Sequence, residues 1–359
     1  MKLHLDFRLY RRPFRSPLKT THGRWSEREG IILKLTTDKG EEGWGEIAPL
    51  PWFGTETLAE AHRYLLGLDG AIAAHDFWAV DNNLPCCQFA LGAAWWMLEV
   101  QRAGLSVEGF RRFSAFFNSF KLDPQRVAGL LPAGAVALEK WQTLYAQGHR
   151  TLKGKLTGDR QELAIFGQLL DQLPPDVTLR LDANGGLSRS QAELWLERCE
   201  FCVANRIEFL EQPLDPQDFE NLLHLSQSQR FATAIALDES VATGPQLREV
   251  AQGGWSDVVV IKPAIAGYPQ FFLEGGIHPS HPARFDAELQ PWLSQFSGVV
   301  VSSVFETPVG QWAALRLASL FGKKLGDRPL GFGTDAWLAP LRPHWLERLW
   351  AGDEPFEAV

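Results

Sequence analysis

The chain has 359 residues, 45% of them hydrophobic and 22% charged, with a formal net charge of −8. That is the composition of a soluble globular protein, long enough for one large barrel with an added domain or for two ordinary domains. An acidic balance without a basic stripe argues against a nucleic-acid partner, and no apolar run is long enough to span a bilayer.

The opening MKLHLDFRLYRRPF lacks the apolar core of a signal peptide. Cys86–Cys87 and Cys199–Cys202 do not make a disulfide framework, so a reducing cytoplasm is expected. Cys199-x-x-Cys202 closes an amphipathic helix and is assigned to packing rather than to zinc or redox chemistry.

Residues 3–10 and 29–37 alternate apolar and polar and predict antiparallel strands, followed by a turn at Asp38–Gly40 and a third short strand. Between the first two lies PLKTTHGRW, a polar stretch expected to be a mobile loop over a site. A second loop, EIAPLPWFGTET, leads into a helix beginning near Thr57. A further helix spans about Leu84 to Ala103, and its small residues permit close packing. Strands followed by helices indicate an α+β domain.

The pattern changes near Asp123–Pro124. VAGLLPAG is the first expected barrel strand, and its helix is closed by Gly148 at a C-cap position. Then TLKGKL, TLRLDAN, IEFLEQP, AIALDES and VVVIKP each end a short β-like segment in a polar residue. Those residues, Lys155, Asp182, Glu211, Asp238 and Lys262, fall 27, 29, 27 and 24 residues apart. One strand, one helix and two turns have that length, so the segments predict parallel βα units. After Lys262 comes an irregular stretch to about residue 297. Its HPSH pair, His278 and His281, is taken as part of the connection and not as a second metal site. SGVVVSSVFE, the helix PVGQWAALRLASLF and a short PLGFGTDAW strand complete seven βα units and a final strand.

If these strands close into a barrel, the five polar ends line one mouth, where barrel enzymes build their sites. Three adjacent carboxylates cannot all stay ionised without a cation between them, and hard oxygen ligands suit Mg²⁺. A lysine on each side would face the two faces of a bound substrate. Lys155 is the candidate base. Lys153, two residues earlier on the same strand face, would lower the pKa of Lys155 electrostatically. Taken singly, each of these residues has a plainer structural explanation, since strand-end lysines are usually solvated and strand-end acids often cap the next helix. Five in register do not.

Lys153-Gly-Lys155, Asp182-Ala-Asn184, Glu211-Gln-Pro213, Asp238-Glu-Ser240 and Lys262-Pro263 resemble the enolase superfamily, and within it the muconate-lactonizing subgroup. The resemblance spans nearly the whole chain. It implies an α/β fold in which a (β/α)₇β modified TIM barrel at 124–324 is closed by an N-terminal α+β capping domain. That domain would comprise residues 1–123, completed by the C-terminal segment 325–359. It further implies Asp182, Glu211 and Asp238 as Mg²⁺ ligands, with Mn²⁺ a possible substitute, and Lys155 and Lys262 as the acid/base pair.

SSVFETPVGQWAALRLAS, PLGFGTDAW and Arg180 resemble a dehydratase branch of the subgroup. That implies syn dehydration of a succinyl-hydroxycyclohexadiene carboxylate in menaquinone or phylloquinone synthesis, with a small-molecule carboxylate as the partner. The implied substrate contacts are Thr21, Trp52, Arg180, Asn184, Gly267, Ser302, Ser303 and Glu306, with Phe53 as a further apolar contact. The rivals are a racemase or epimerase on the same scaffold, a Schiff-base aldolase and a non-catalytic binding barrel. Where dipeptide epimerases of the subgroup tend to carry Asp-x-Asp, this chain has SSVFE. Intact lysines and carboxylates speak against a non-catalytic barrel.

Overall fold

The computed structural model describes residues 2–20, 23–73, 77–102, 122–201, 206–272, 290–325 and 328–353. Strands β1 (Lys2–Thr20), β2 (Gly23–Thr36), β3 (Glu42–Ile47) and β4 (Ala71–Ala73) form an antiparallel sheet in the order β3-β2-β1-β4. Helix α1 (Leu58–Gly67) starts where expected, with Thr57 and Glu60 forming a capping box.

Helix α2 (Pro85–Arg102) buries almost every residue against the sheet. Gly43 and Gly45 of β3 make that approach possible. A Cβ at either would run into the backbone of Ala94 or Ala90. Here strand and helix backbones touch, which explains glycines in a strand interior.

The stretch 17–25 departs from expectation. Its described residues continue the two strands, pairing Leu18 with Trp25 and Thr20 with Gly23 after a register shift between Pro13 and Leu18. β4 pairs only with Lys2–His4; farther along β1 the neighbour is the C-terminal segment, where Leu338 bridges Phe14 and the Ala339 N–H donates to the Pro13 carbonyl. Pro13 and Pro17 fall at the register shift, an irregularity where proline is tolerated within a strand. Turn-prone composition is overridden by a long two-stranded ladder.

The second sheet is parallel: β5 (Gly129–Leu130), β6 (Thr151–Lys155), β7 (Thr178–Asp182), β8 (Ile207–Glu211), β9 (Ala234–Leu237), β10 (Val258–Ile261) and β11 (Gly298–Val301) lie side by side in chain order. Between them run α3 (Ala137–Ala146), α4 (Arg160–Gln172), α5 (Arg189–Glu200), α6 (Phe219–Ser226) and α7 (Gly244–Gln252). The short α8 (Gln290–Leu293) precedes β11 and α9 (Pro308–Leu325) follows it. Gly148, with φ +106°, lies just past α3 as the sequence predicts.

Leu330 and Gly331 bridge Val127 on one side and Ser302 on the other, so the eighth strand joins the two edges of the sheet. Phe209, Ala236, Val258, Val260 and Val300 cluster inside the curled sheet. The chain then returns to the N-terminal sheet. Leu338 pairs with Phe14, and α10 (Trp345–Ala351) brings the Trp350 indole N–H to Asp6 at 3.2 Å. Among the described residues no helix is long and apolar enough to cross a membrane.

Candidate active site

Parallel strands in register bring the five polar ends to one rim. Lys155 sits opposite Asp182 and Asp182 opposite Glu211 in the ladder, while Asp238 and Lys262 follow β9 and β10 by one residue. Asp182, Glu211, Asp238 and Lys262 are all buried. Burial is a consequence of alternation: these side chains point into the barrel, above Phe209 and Val260.

The lysines are tied to the acids. Lys153 Nζ lies 2.8 Å from both Asp182 Oδ2 and Glu211 Oε1, and the ammonium of Lys262 pairs with Asp238 Oδ1. Burial disfavours the Lys153 ammonium, but Asp182 and Glu211 outweigh it and hold its pKa well above the ordinary lysine value. Burial also opposes the charge on Asp182, yet Lys153 and the Asn184 N–H pull its pKa below normal. Glu211 goes the other way. Burial, with Asp182 and Asp238 nearby, pushes its carboxyl up to about 8 despite Lys153. The expectation that Lys153 tunes Lys155 is therefore modified. The Lys153 charge is spent on two carboxylates, because its long stem reaches forward along the strand to them.

Asn184, an implied substrate contact, and Gln212 of the Glu211-Gln-Pro213 motif both sit in turns with positive φ. The structure gives them more to do. Asn184 donates to Glu239 Oε1 at 3.1 Å and, through its backbone, to Asp182 Oδ1 at 3.0 Å. Gln212 Oε1 accepts from the backbone N–H of Asp238 and of Ser240, and its amide donates to Ser240 Oγ at 2.8 Å. One side chain thus ties the turn after β8 to the turn after β9. Sequence reasoning also missed Glu239, half-buried beside Asp182 and Asp238. Burial first and those two carboxylates second push its pKa up to about 7. Adjacency to Asp238 was the signal that could have revealed it.

The remaining candidates divide. Phe53 lies over the Lys262 ammonium at 4.4 Å, so the loop 49–56 does reach the mouth. Trp52 stacks edge-on with Trp25 at 5.1 Å, and Trp25 with Phe305 at 5.4 Å. Gly267 is buried with φ +105°, in the turn that follows Lys262. Ser302 Oγ donates to the Gly331 carbonyl, at the barrel seam.

Three side chains expected to meet substrate are engaged elsewhere. Arg180 is nearly inaccessible and gives two hydrogen bonds to Glu208, which also pairs with Arg328. Two residues back from Asp182, Arg180 stands deeper in the barrel, where a register shift in the β7–β8 pairing admits Glu208. Glu306 is fully buried and takes the Ser303 hydroxyl at 2.8 Å and the Val304 N–H at 2.6 Å. Ser303 Oγ in turn accepts from Thr334 Oγ1. Thr21, His278 and His281 lie outside the described residues.

Among the described residues no three His, Cys, Asp or Glu side chains stand already arranged around one point as metal ligands. Ammonium groups lie between the acids instead. The donor set nonetheless fits a hard divalent cation. Three buried carboxyls and the half-buried Glu239 crowd the rim, two of the four have pKa values raised to about 8 and 7, and Glu239 Oε2 is buried without a hydrogen-bond partner. A site that cannot carry its full negative charge with two lysines alone is one that a divalent ion would stabilise.

Comparison with known proteins agrees with this architecture. Residues 136–268 match the enolase C-terminal domain-like family, and residues 5–98 match the family described as MenC, N-terminal domain. The chain is 33% identical over 353 residues to the o-succinylbenzoate synthase of Thermosynechococcus vestitus, covering 96% of this chain and 98% of that one. It is 29% identical to the o-succinylbenzoate synthase of Edwardsiella ictaluri, over 95% of this chain and 88% of the other. In three dimensions it resembles the o-succinylbenzoate synthase of Thermosynechococcus elongatus complexed with Mg in the active site. The TM-score is 0.76 at 32% identity, over 97% of this chain and 99% of that one. A dipeptide epimerase from Enterococcus faecalis, complexed with Mg and L-Leu-L-Tyr, shares the fold at TM-score 0.72 and 21% identity, over 94% of this chain and 91% of that one.

Proposed function

Because the chain belongs to the o-succinylbenzoate synthase family of the enolase superfamily, we propose that its barrel mouth performs the syn dehydration of 2-succinyl-6-hydroxy-2,4-cyclohexadiene-1-carboxylate to o-succinylbenzoate, in menaquinone or phylloquinone synthesis. The observation that carries this reading is the rim itself. Lys155 is in register beside Asp182, Glu211 follows on the next strand, and Asp238 with Lys262 completes the arc.

Abstracting a proton next to a carboxylate is hard because the product is a dianionic enolate. Asp182, Glu211 and Asp238 would hold Mg²⁺, or Mn²⁺ as a substitute, and the bound ion would supply positive charge to stabilise this dianion. Lys155, as the free amine, removes the α-proton and becomes an ammonium. It then returns that proton to the departing hydroxyl on the same face, so one water leaves and the amine is restored. Lys262, held by Asp238 and covered by Phe53, offers a cation on the opposite face and transfers no proton. Gln212 and Asn184 hold the turns that carry Asp238 and Asp182. Aromatisation of the ring makes the elimination strongly downhill, so tight ground-state binding is unnecessary.

Residues 1–123 with 325–359 are taken as the capping domain and 124–324 as the barrel. The Phe14–Leu338 pairing and the Trp350–Asp6 bond support this division. The free, buried thiols of Cys86 and Cys87 fit a cytoplasmic enzyme. The test is direct. Purified protein is assayed with the cyclohexadiene substrate with and without Mg²⁺, expecting Mg²⁺-dependent formation of o-succinylbenzoate. Deuterium exchange at the α-carbon in D₂O without dehydration would refute the reading in favour of a racemase.

A further inference from the structure

Among the described residues, a set of buried hydrogen bonds between the N-terminal sheet and the barrel converges on Glu46. This carboxylate of β3 is fully buried and 261 residues distant in sequence from its chief partner. Tyr10 OH donates to its Oε1 at 2.5 Å. From the barrel side Thr307 N donates at 2.9 and 3.0 Å, the Thr307 hydroxyl also donates, and Gly310 N donates at 2.9 Å. The last three donors belong to the first turn of α9 and the residue before it, where a negative charge is favoured.

What Glu46 grips is the turn leaving β11. Phe305, two residues before Thr307, is held at φ +64°, a conformation that costs a side-chain-bearing residue energy unless its surroundings impose it. Its ring meets Phe14 at 5.2 Å and Trp25 at 5.4 Å; Trp25 meets Trp52, and the neighbouring Phe53 covers Lys262. A continuous path of contacts therefore runs from Glu46 through Thr307 and Phe305 to the loop over the barrel mouth.

We propose that Glu46 is a positioning residue for the dehydration: by fixing the turn at Phe305 through Thr307, it sets how closely the Trp25–Trp52–Phe53 cover approaches substrate. The inference rests on the dehydration reading above. Its chemistry is that of preorganisation, in which a cover held in place recovers binding energy that a loose one loses.

Thr307→Val removes the hydroxyl donor while keeping shape, and Thr307→Ser restores the donor. The expected result is that Thr307→Val raises KM about tenfold with kcat changed less than about threefold. It should weaken o-succinylbenzoate binding measured by calorimetry to the same extent, and Thr307→Ser should recover most of both. Glu46→Gln, which sets an amide against the same donors, should shift KM further in the same direction. Unchanged KM and product affinity in Thr307→Val would overturn the proposal, as would a loss of melting temperature and kcat with KM intact. Failure of the dehydration reading is separate, since it would show as wild-type protein without turnover.

Discussion

Replacing Lys153 with methionine tests the charge economy of the rim. The ammonium lies 2.8 Å from both Asp182 and Glu211, and methionine keeps the stem but removes the charge. Breaking a buried ion pair from one side typically costs about 3–5 kcal/mol, because the partner charge is left uncompensated. Here two acids share one cation, although Glu211 can relieve part of the strain by taking up a proton. With an unfolding entropy of about 2.1 cal/mol/K per residue, a chain of 359 residues loses roughly 1 °C of Tm for each ~0.75 kcal/mol. The metal-free variant should therefore melt about 4–7 °C below wild type. Mg²⁺ should then raise its Tm by more than it raises that of wild type, since the ammonium no longer competes for the same oxygens. Differential scanning calorimetry over a Mg²⁺ titration measures both effects. A metal-free variant as stable as wild type, or one with a smaller Mg²⁺ shift, would refute the reasoning.

Lys155→Ala should reduce single-turnover dehydration by at least about 10²-fold, the usual worth of a positioned base, while Mg²⁺-dependent stabilisation persists. If Lys155→Ala kept near wild-type turnover, the base would have to be sought elsewhere. The pH dependence of metal-free stability has a defined sign. Glu211 has a folded pKa raised to about 8, mainly by burial, so its contribution is fully present below the ordinary glutamate pKa and is lost as pH rises through about 8. Urea unfolding between about pH 5 and pH 9 should show stability falling across that window, and Glu211→Gln should flatten the fall. Gly45→Ala places a methyl against the Ala90 backbone and should cost at least about 1–3 kcal/mol, read as a lower urea midpoint, because helix α2 must move away from β3.

Much of the site was legible in the chain because parallel strands obey a strict geometry. A βα repeat puts equivalent strand positions on one rim, so the spacing of Lys155, Asp182, Glu211, Asp238 and Lys262 already located the mouth and its charges. Alternation placed them inward, and the turn and cap signals at Thr57 and Gly148 were local enough to read directly. Whatever depends on partners distant in sequence was not legible. Nothing near Arg180 announces that a register shift in β8 will turn Glu208 toward it, and nothing near Lys153 fixes whether its charge serves Lys155 or the two acids. The strands at 17–20 and 23–25 outlasted their turn-prone composition because a ladder pairs residues across to the neighbouring strand, not along the chain. Periodicity in one chain can state which residues share a face. Only the closed barrel and the sheet packed over it decide which of them touch, as Glu46 and Thr307 do, because burial and long-range hydrogen bonds are properties of the assembled core.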